Sequence, residues 1–73
     1  AMSFQAYLDN VEAKTGKSAE VLRAMAVERG LADADGLAAG VKAGAVVDWL
    51  KQDFDLGHGH AMSIVAFIKG KRE

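Results

Sequence analysis

The 73-residue chain contains neither cysteine nor proline. Without cysteine there is no disulfide framework, no thiolate metal site and no cysteine nucleophile. This composition suits a reducing cytoplasm, which is the compartment we expect. The lack of proline, together with an apolar fraction of 51% in which alanine is prominent, favours helices over sheet.

Long apolar runs and an excess of one charge are also missing. No stretch approaches the roughly 18 apolar residues of a membrane span, and no signal peptide is recognised, so we expect no membrane contact. Nine basic and ten acidic residues are interspersed and give a net charge of −1, which argues against a broadly basic nucleic-acid domain but not against a local patch. Residues 1–73 are predicted to form a single helical domain, with Met2 as the native start and Ala1 as the remnant of a cleaved tag.

Two helices are predicted in the first thirty residues from caps and apolar spacing. Ser3 and Ser18 can accept hydrogen bonds at the helix starts, and Gly16 and Gly30 are natural ends. Apolar residues recur at helical spacing in both segments. The first apolar stripe is Phe4, Tyr7, Leu8 and Val11, and the second is Val21, Leu22, Met25 and Ala26.

The middle of the chain predicts an irregular connection followed by two more helices. Asp35-Gly36 is a turn signal within residues 31–44; a short helical turn near residues 36–40 is left open, and no strand is expected. The third helix is predicted from Ala43 to Phe54, with Trp49 in or beside the core. We therefore predict an all-α protein, a compact bundle of four or five short helices.

The last helix is predicted from Gly59 or His60 to Lys69. Phe67 lies off its apolar stripe, so either this helix is buried on two sides or Phe67 is exposed.

The stretch Gly57-His58-Gly59-His60 is the candidate site. The interpretation we favour is a tight turn, with Gly57 ending the third helix in the left-handed region and Gly59 at the N-cap of the fourth. Glycines between two helices also resemble a helix-hairpin-helix motif, in which free backbone N–H groups approach a phosphate. Residues 69–72, which include three basic side chains, could assist such a contact.

A metal site is the weaker interpretation of this stretch. His58 and His60 are proper zinc or nickel ligands, but with Asp53 and Asp55 they do not close a four-ligand shell. The same two acids would repel a nucleic-acid backbone, and His58 occupies a hairpin position that is usually apolar. We expect no metal and no cofactor.

Catalysis has the least support. Ser63 follows His60 by three residues but has no evident third partner, and a helical domain of this size has little room for a substrate pocket. We expect no enzyme activity and no catalytic residues.

Two segments of the chain, residues 3–22 and 42–70, resemble a family of small bacterial domains of unknown function. The family pattern has an S-F-Q-x-Y start, a K-T-G-K turn and a W-L-K-x-D-F-x-L-G-H-G-H-A-M-x-I segment. Ala45 departs from it, since a glutamate is common there. The resemblance implies a bacterial, cytoplasmic domain and makes the Gly-His-Gly-His segment a family hallmark. The matching residues are Ser3, Phe4, Gln5 and Tyr7, then Lys14, Thr15, Gly16 and Lys17, then Trp49, Leu50, Lys51, Asp53, Phe54, Leu56, Gly57, His58, Gly59, His60, Ala61, Met62 and Ile64.

The function expected from these observations is a small binding module. A protein or peptide is the first expected partner, and an exposed apolar patch around Phe67 or Trp49 would favour it. The alternative is a nucleic-acid-binding accessory domain that uses the Gly57–Gly59 hairpin. Basic residues 69, 71 and 72 clustered beside free N–H groups at residues 59–61 would favour that alternative.

Overall fold

A computed structural model describes residues 3–73 of the chain. The expectations for Ala1 and Met2 lie outside these residues. The described part contains four helices and one short pair of strands. The elements are α1 (Phe4–Thr15), α2 (Ala19–Glu28), β1 (Ala32–Asp33), β2 (Gly36–Leu37), α3 (Ala43–Phe54) and α4 (His58–Ile68).

The first two helices begin at the predicted serine caps. The hydroxyl of Ser3 accepts a hydrogen bond from the N–H of Ala6 at 3.1 Å, and that of Ser18 accepts one from Val21 at 3.2 Å. Each cap satisfies a backbone donor that the helix leaves free. The ends also follow the prediction, because Gly16 adopts a left-handed conformation with φ of 74°.

The strands contradict the prediction of an all-α protein. Ala32 pairs with Leu37 and Asp33 with Gly36 in an antiparallel hairpin, so the fold is mostly helical but not entirely so. The carboxylate of Asp33 accepts a hydrogen bond from the N–H of Asp35 at 2.8 Å, an interaction typical of a turn. Strands of two residues are too short to produce an alternating sequence pattern, although the Asp35-Gly36 turn signal was recognised.

Helix α4 lies at the centre of the fold and contacts α1, α2 and α3. A helix surrounded in this way must be apolar on nearly every side. This explains why Phe67, which lies off the main stripe, is only 6% exposed. The buried residues of α4 are Ala61, Ser63, Ile64, Val65, Phe67 and Ile68. Among the described helices, none has the length and apolar character needed to cross a membrane.

Helix α3 ends at Phe54 as predicted, but the residue that terminates it is not the predicted one. Gly57 does not terminate this helix; instead Asp55 adopts the left-handed conformation, with φ of 54° and ψ of 34°. It is the one residue other than glycine with positive φ in the described chain. Aspartate tolerates this conformation better than most residues but less well than glycine. The left-handed residue therefore lies two positions before Gly57, where it was predicted.

Asp55→Gly is expected to stabilise the protein by up to about 1 kcal/mol, because glycine adopts positive φ without a Cβ penalty. The matched control is Gln52→Gly in the exposed interior of α3, which should lower stability by about 1 kcal/mol. Urea unfolding of both variants measures the two differences. If Asp55→Gly lowers the free energy of unfolding, the prediction is wrong, and the Asp55 side chain stabilises the protein by more than its positive φ costs.

Candidate functional site

The predicted site residues form the beginning of α4 and not a loop between helices. Gly57 is the N-cap, with ordinary extended backbone angles of φ −71° and ψ 165°. His58, Gly59 and His60 make up the first turn. The helix therefore starts one or two residues earlier than predicted, and Gly59 lies inside it. The first turn of a helix has N–H donors without a partner inside the helix. The groups around this turn therefore decide whether those donors are satisfied.

No side chain among residues 3–73 caps this helix. The first helical bond at this end joins the N–H of Ala61 to the carbonyl of Gly57 at 2.9 Å. Among the described residues, the N–H groups of His58, Gly59 and His60 have no acceptor. Together with the helix dipole, three free donors give this end a partial positive charge that attracts anions.

A cavity of about 440 Å³ lies between α1 and this uncapped end. Helix α1 contributes one wall of the cavity and the start of α4 contributes the other. Its size is within the usual range for small-ligand sites, about 300–1,000 Å³, contrary to the expectation that so small a domain has little room for a pocket. The lining residues are Asn10, Ala13, Lys14, Leu56, Gly57 and His60.

The two histidines have different surroundings. His58 is exposed, whereas the ring of His60 lies 5.1 Å from that of Tyr7, centroid to centroid. The Nε2 atom of His60 is buried and has no hydrogen-bond partner in the part of the chain that the structure describes. The imidazole of His60 is thus packed against α1, while that of His58 is free in solvent.

The structure does not assemble a metal-ligand shell around the histidines. Within residues 3–73, no group of three or more histidine, cysteine or carboxylate side chains is arranged to hold a metal ion. Ser63 is not activated by an imidazole either, because its hydroxyl donates to the backbone carbonyl of His60 at 2.6 Å. A serine engaged in this way serves the helix and is not placed as a nucleophile.

Neither glycine of the site is required by the fold. Among the described residues, a Cβ atom at Gly57 would meet nothing within 4 Å, and one at Gly59 would meet only Tyr7 Cε1 at 3.9 Å, an ordinary contact. Serine or asparagine at an N-cap stabilises more than glycine, and glycine inside a helix costs about 0.5–1 kcal/mol relative to alanine. Gly44, in the first turn of α3, is equally open, but it lines none of the cavities described here. Gly57 leaves bare backbone beside the cavity, and Gly59 follows it in the first turn of α4, in both cases at some expense in stability.

The basic residues near the C-terminus of the chain do not lie beside the start of α4. The basic residues 69–72 follow the opposite end of α4, about 15 Å from its start given a rise of 1.5 Å per residue. There the Lys71 ammonium lies 5.2 Å from the Phe4 ring and the Arg72 guanidinium lies 3.8 Å from the Phe67 ring. The basic residue that lines the cavity is Lys14. The cluster of basic side chains that would have favoured nucleic acid is therefore not formed beside the hairpin by the described residues.

The apolar patch that would have favoured a protein partner is not formed either. Trp49 is 5% exposed and Phe67 is 6% exposed. Trp49 lies in the core, as predicted, and its ring meets that of Phe54 edge to face at 5.8 Å. A partner must therefore be recognised by features other than an exposed apolar patch formed by these two rings.

The contribution of α1 to the site was missed in the sequence. Asn10, Ala13 and Lys14 line the cavity, but their helical pattern marks them only as a solvated face. The signal that could have identified Lys14 is its position in the K-T-G-K turn, one of the recurring segments of the family pattern. Sequence spacing alone could not show that this turn lies opposite the start of α4.

A protein-family model described as "Domain of unknown function (DUF4287)" matches residues 3–70. This match covers nearly all of the chain and agrees with the resemblance noted from its motifs. A search of curated proteins and a search of solved structures each found no match.

Proposed function

The chain belongs to the DUF4287 family of domains of unknown function, and we propose that it is a small binding module that recognises a carboxylate group of a protein or peptide partner. The carboxylate binds in the cavity between α1 and the start of α4. The domain binds this partner and does not catalyse a reaction. We place it in the bacterial cytoplasm, in accord with the family resemblance and the cysteine-free composition.

The observation that carries this proposal is the pair of glycines at a free helix start. Gly57 lines the cavity and supplies no side-chain cap, and a Cβ at Gly57 or Gly59 would meet no close contact among the described residues. The three N–H donors of the first turn therefore have no acceptor in the described part of the chain. A local departure from the most stable sequence is expected where a protein binds a ligand. Free backbone N–H groups are a recurring means of capturing a peptide carboxylate.

The size and charge of the site favour a carboxylate over a nucleic-acid backbone. Lys14 supplies one positive charge at the cavity, and the whole chain carries a net charge of −1. Duplex DNA binding usually depends on several lysine or arginine contacts to successive phosphates. The basic residues of the C-terminal segment, Lys69, Lys71 and Arg72, lie at the other end of α4. Nucleic-acid binding therefore remains the alternative, with the free N–H groups as its main support.

Gly57→Ser is expected to preserve or slightly raise stability, by a few tenths of a kcal/mol, and to weaken carboxylate binding at least tenfold. The serine hydroxyl can accept a hydrogen bond from the first turn, as Ser3 and Ser18 do, and it would then occupy a donor that the ligand needs. Binding is measured by the NMR shifts of the His58, Gly59 and His60 amides during titration with tri-alanine that has a free carboxyl terminus. Thermal unfolding of the same sample measures stability.

Gly44→Ser is the matched control, because it places the same substitution in the first turn of α3, away from the cavity. It should leave the titration unchanged. Tri-alanine amide, which lacks the carboxylate, should not shift the three amides, and Lys14→Gln should weaken binding of the free acid. If Gly57→Ser binds the free acid as well as the parent does, the proposal is wrong. Amide shifts caused by a short DNA duplex but not by the peptide acid would support the nucleic-acid alternative.

A further inference from the structure

A second cleft, separate from the cavity at α4, lies beside Trp49. It has a volume of about 550 Å³ and runs between α3 and the segment that follows α2. Helix α3 presents Asp48, Trp49 and Gln52 to it, and Arg29 and Leu31 form the facing side. None of these residues lines the cavity proposed to bind a carboxylate.

The notable feature of this cleft is an unpaired donor. Trp49 is buried, with 5% of its surface exposed. Its indole N–H has no hydrogen-bond partner among the described residues. A buried donor without an acceptor costs about 1–3 kcal/mol, and such groups are rare in folded proteins. The perpendicular ring of Phe54 offers at best a weak π acceptor. The indole therefore lacks an acceptor that a ligand could supply.

Arg29 lies over the face of the Trp49 ring at this cleft. Its guanidinium carbon lies 5.5 Å from the centroid of the Trp49 ring, and its side chain is 53% exposed. Its ion pair with Asp53 is long, at 3.8 Å, and that carboxylate is 49% exposed as well. An exposed pair of this kind contributes little stability, so displacement of Arg29 by a ligand costs little.

We propose that this cleft binds a backbone amide of an extended peptide segment, whose carbonyl accepts the Trp49 indole N–H once Arg29 moves aside. The carboxylates of Asp48 and Asp53 offset the positive charge of Arg29. This neutralisation disfavours a carboxylate ligand in the cleft and favours a neutral group. A peptide unit has both a carbonyl acceptor and an N–H donor. The Asp48 carboxylate and the Gln52 amide, which make no side-chain hydrogen bond in the described structure, are the matching partners for that N–H.

The single tryptophan of the chain gives the test a unique signal, the indole N–H resonance of Trp49. Titration with acetyl-tri-alanine methylamide should move this proton downfield in a saturable manner. N-methylacetamide, which offers one isolated amide, should bind at least tenfold more weakly, and sodium acetate should cause no shift. An indole resonance that does not respond to the peptide overturns the proposal. Saturation by acetate overturns the assignment of a neutral ligand, and equal affinity for N-methylacetamide overturns the assignment of a peptide segment.

Variants separate the indole donor from the surrounding surface. Trp49→Phe keeps an aromatic ring but removes the N–H, and roughly fivefold weaker peptide binding is expected, measured by the shift of the Gln52 side-chain amide. Asp48→Ala changes an exposed residue, so the fold is retained while binding weakens. Lys51→Ala, on the same helix but outside the cleft, is the control and should bind normally. Unchanged binding in both Trp49→Phe and Asp48→Ala would refute the proposal.

This inference does not depend on the carboxylate site. Gly57→Ser should leave the indole titration unchanged, and Asp48→Ala should leave the amide shifts at His58, Gly59 and His60 unchanged. Failure of one proposal is therefore distinguishable from failure of the other.

Discussion

Trp49→Ala should destabilise the protein by about 3–5 kcal/mol, the usual range for removal of a buried large aromatic side chain. Trp49 is buried, with 5% of its surface exposed. Its indole contacts Phe54 edge to face and lies under the guanidinium of Arg29. All of these contacts are lost together, and a residual cavity adds to the cost. Urea unfolding followed by circular dichroism measures the difference in the free energy of unfolding.

Trp49→Phe is the matched variant for this prediction. It retains most of the buried aromatic surface and removes the unpaired donor, so its loss should be well below that of the alanine variant. Equal losses in the two variants would show that the indole N–H contributes to stability and is satisfied in solution. A change of less than about half a kcal/mol in Trp49→Ala would show that Trp49 lies at the surface.

Ile64→Ala should be almost as damaging, with a loss of about 2–5 kcal/mol. Ile64 is completely buried at the centre of α4, the helix that the other three helices contact. Domains of this length are typically stable by roughly 4–11 kcal/mol. The variant should therefore be partly unfolded at 37 °C, as seen in a thermal scan monitored by helical circular dichroism.

Met62→Ala controls for helix propensity in the same experiment. Met62 lies on the same helix but is 38% exposed, and alanine is as good a helix former as methionine or better. Its stability should change by no more than about 0.5 kcal/mol. If the two alanine variants lost equal stability, α4 would not be the central helix of the fold.

A carboxylate site and an amide site on one small domain would together suit a peptide partner. The first supplies attraction to a charged group and the second hydrogen-bonds the peptide backbone. Neither site requires a large exposed apolar surface, which agrees with the burial of Trp49 and Phe67. The large apolar side chains exposed in the described structure are Val21, Val27 and Met62.

The helices were determined largely by local features of the sequence. Ser3 and Ser18 cap their helices as predicted, because a cap acts over three residues and its pattern is visible in the chain. The predicted limits of the third helix, Ala43–Phe54, are those observed. Apolar spacing likewise placed Trp49 in the core. These features depend on neighbours in the sequence, so no knowledge of the tertiary structure was needed.

Features that depend on contacts distant in sequence were decided by the tertiary structure alone. Burial of Phe67 requires that α4 be surrounded, and sequence spacing left that question open. Asp55, not Gly57, took the left-handed position at the end of α3, because the packing of the next helix fixes where the chain must turn. Lys14 reached the cavity because α1 packs against α4, more than forty residues later in the sequence. The Gly-His-Gly-His segment drew attention as a sequence, but only the fold supplied the cavity and the unpaired donors that give it a proposed role.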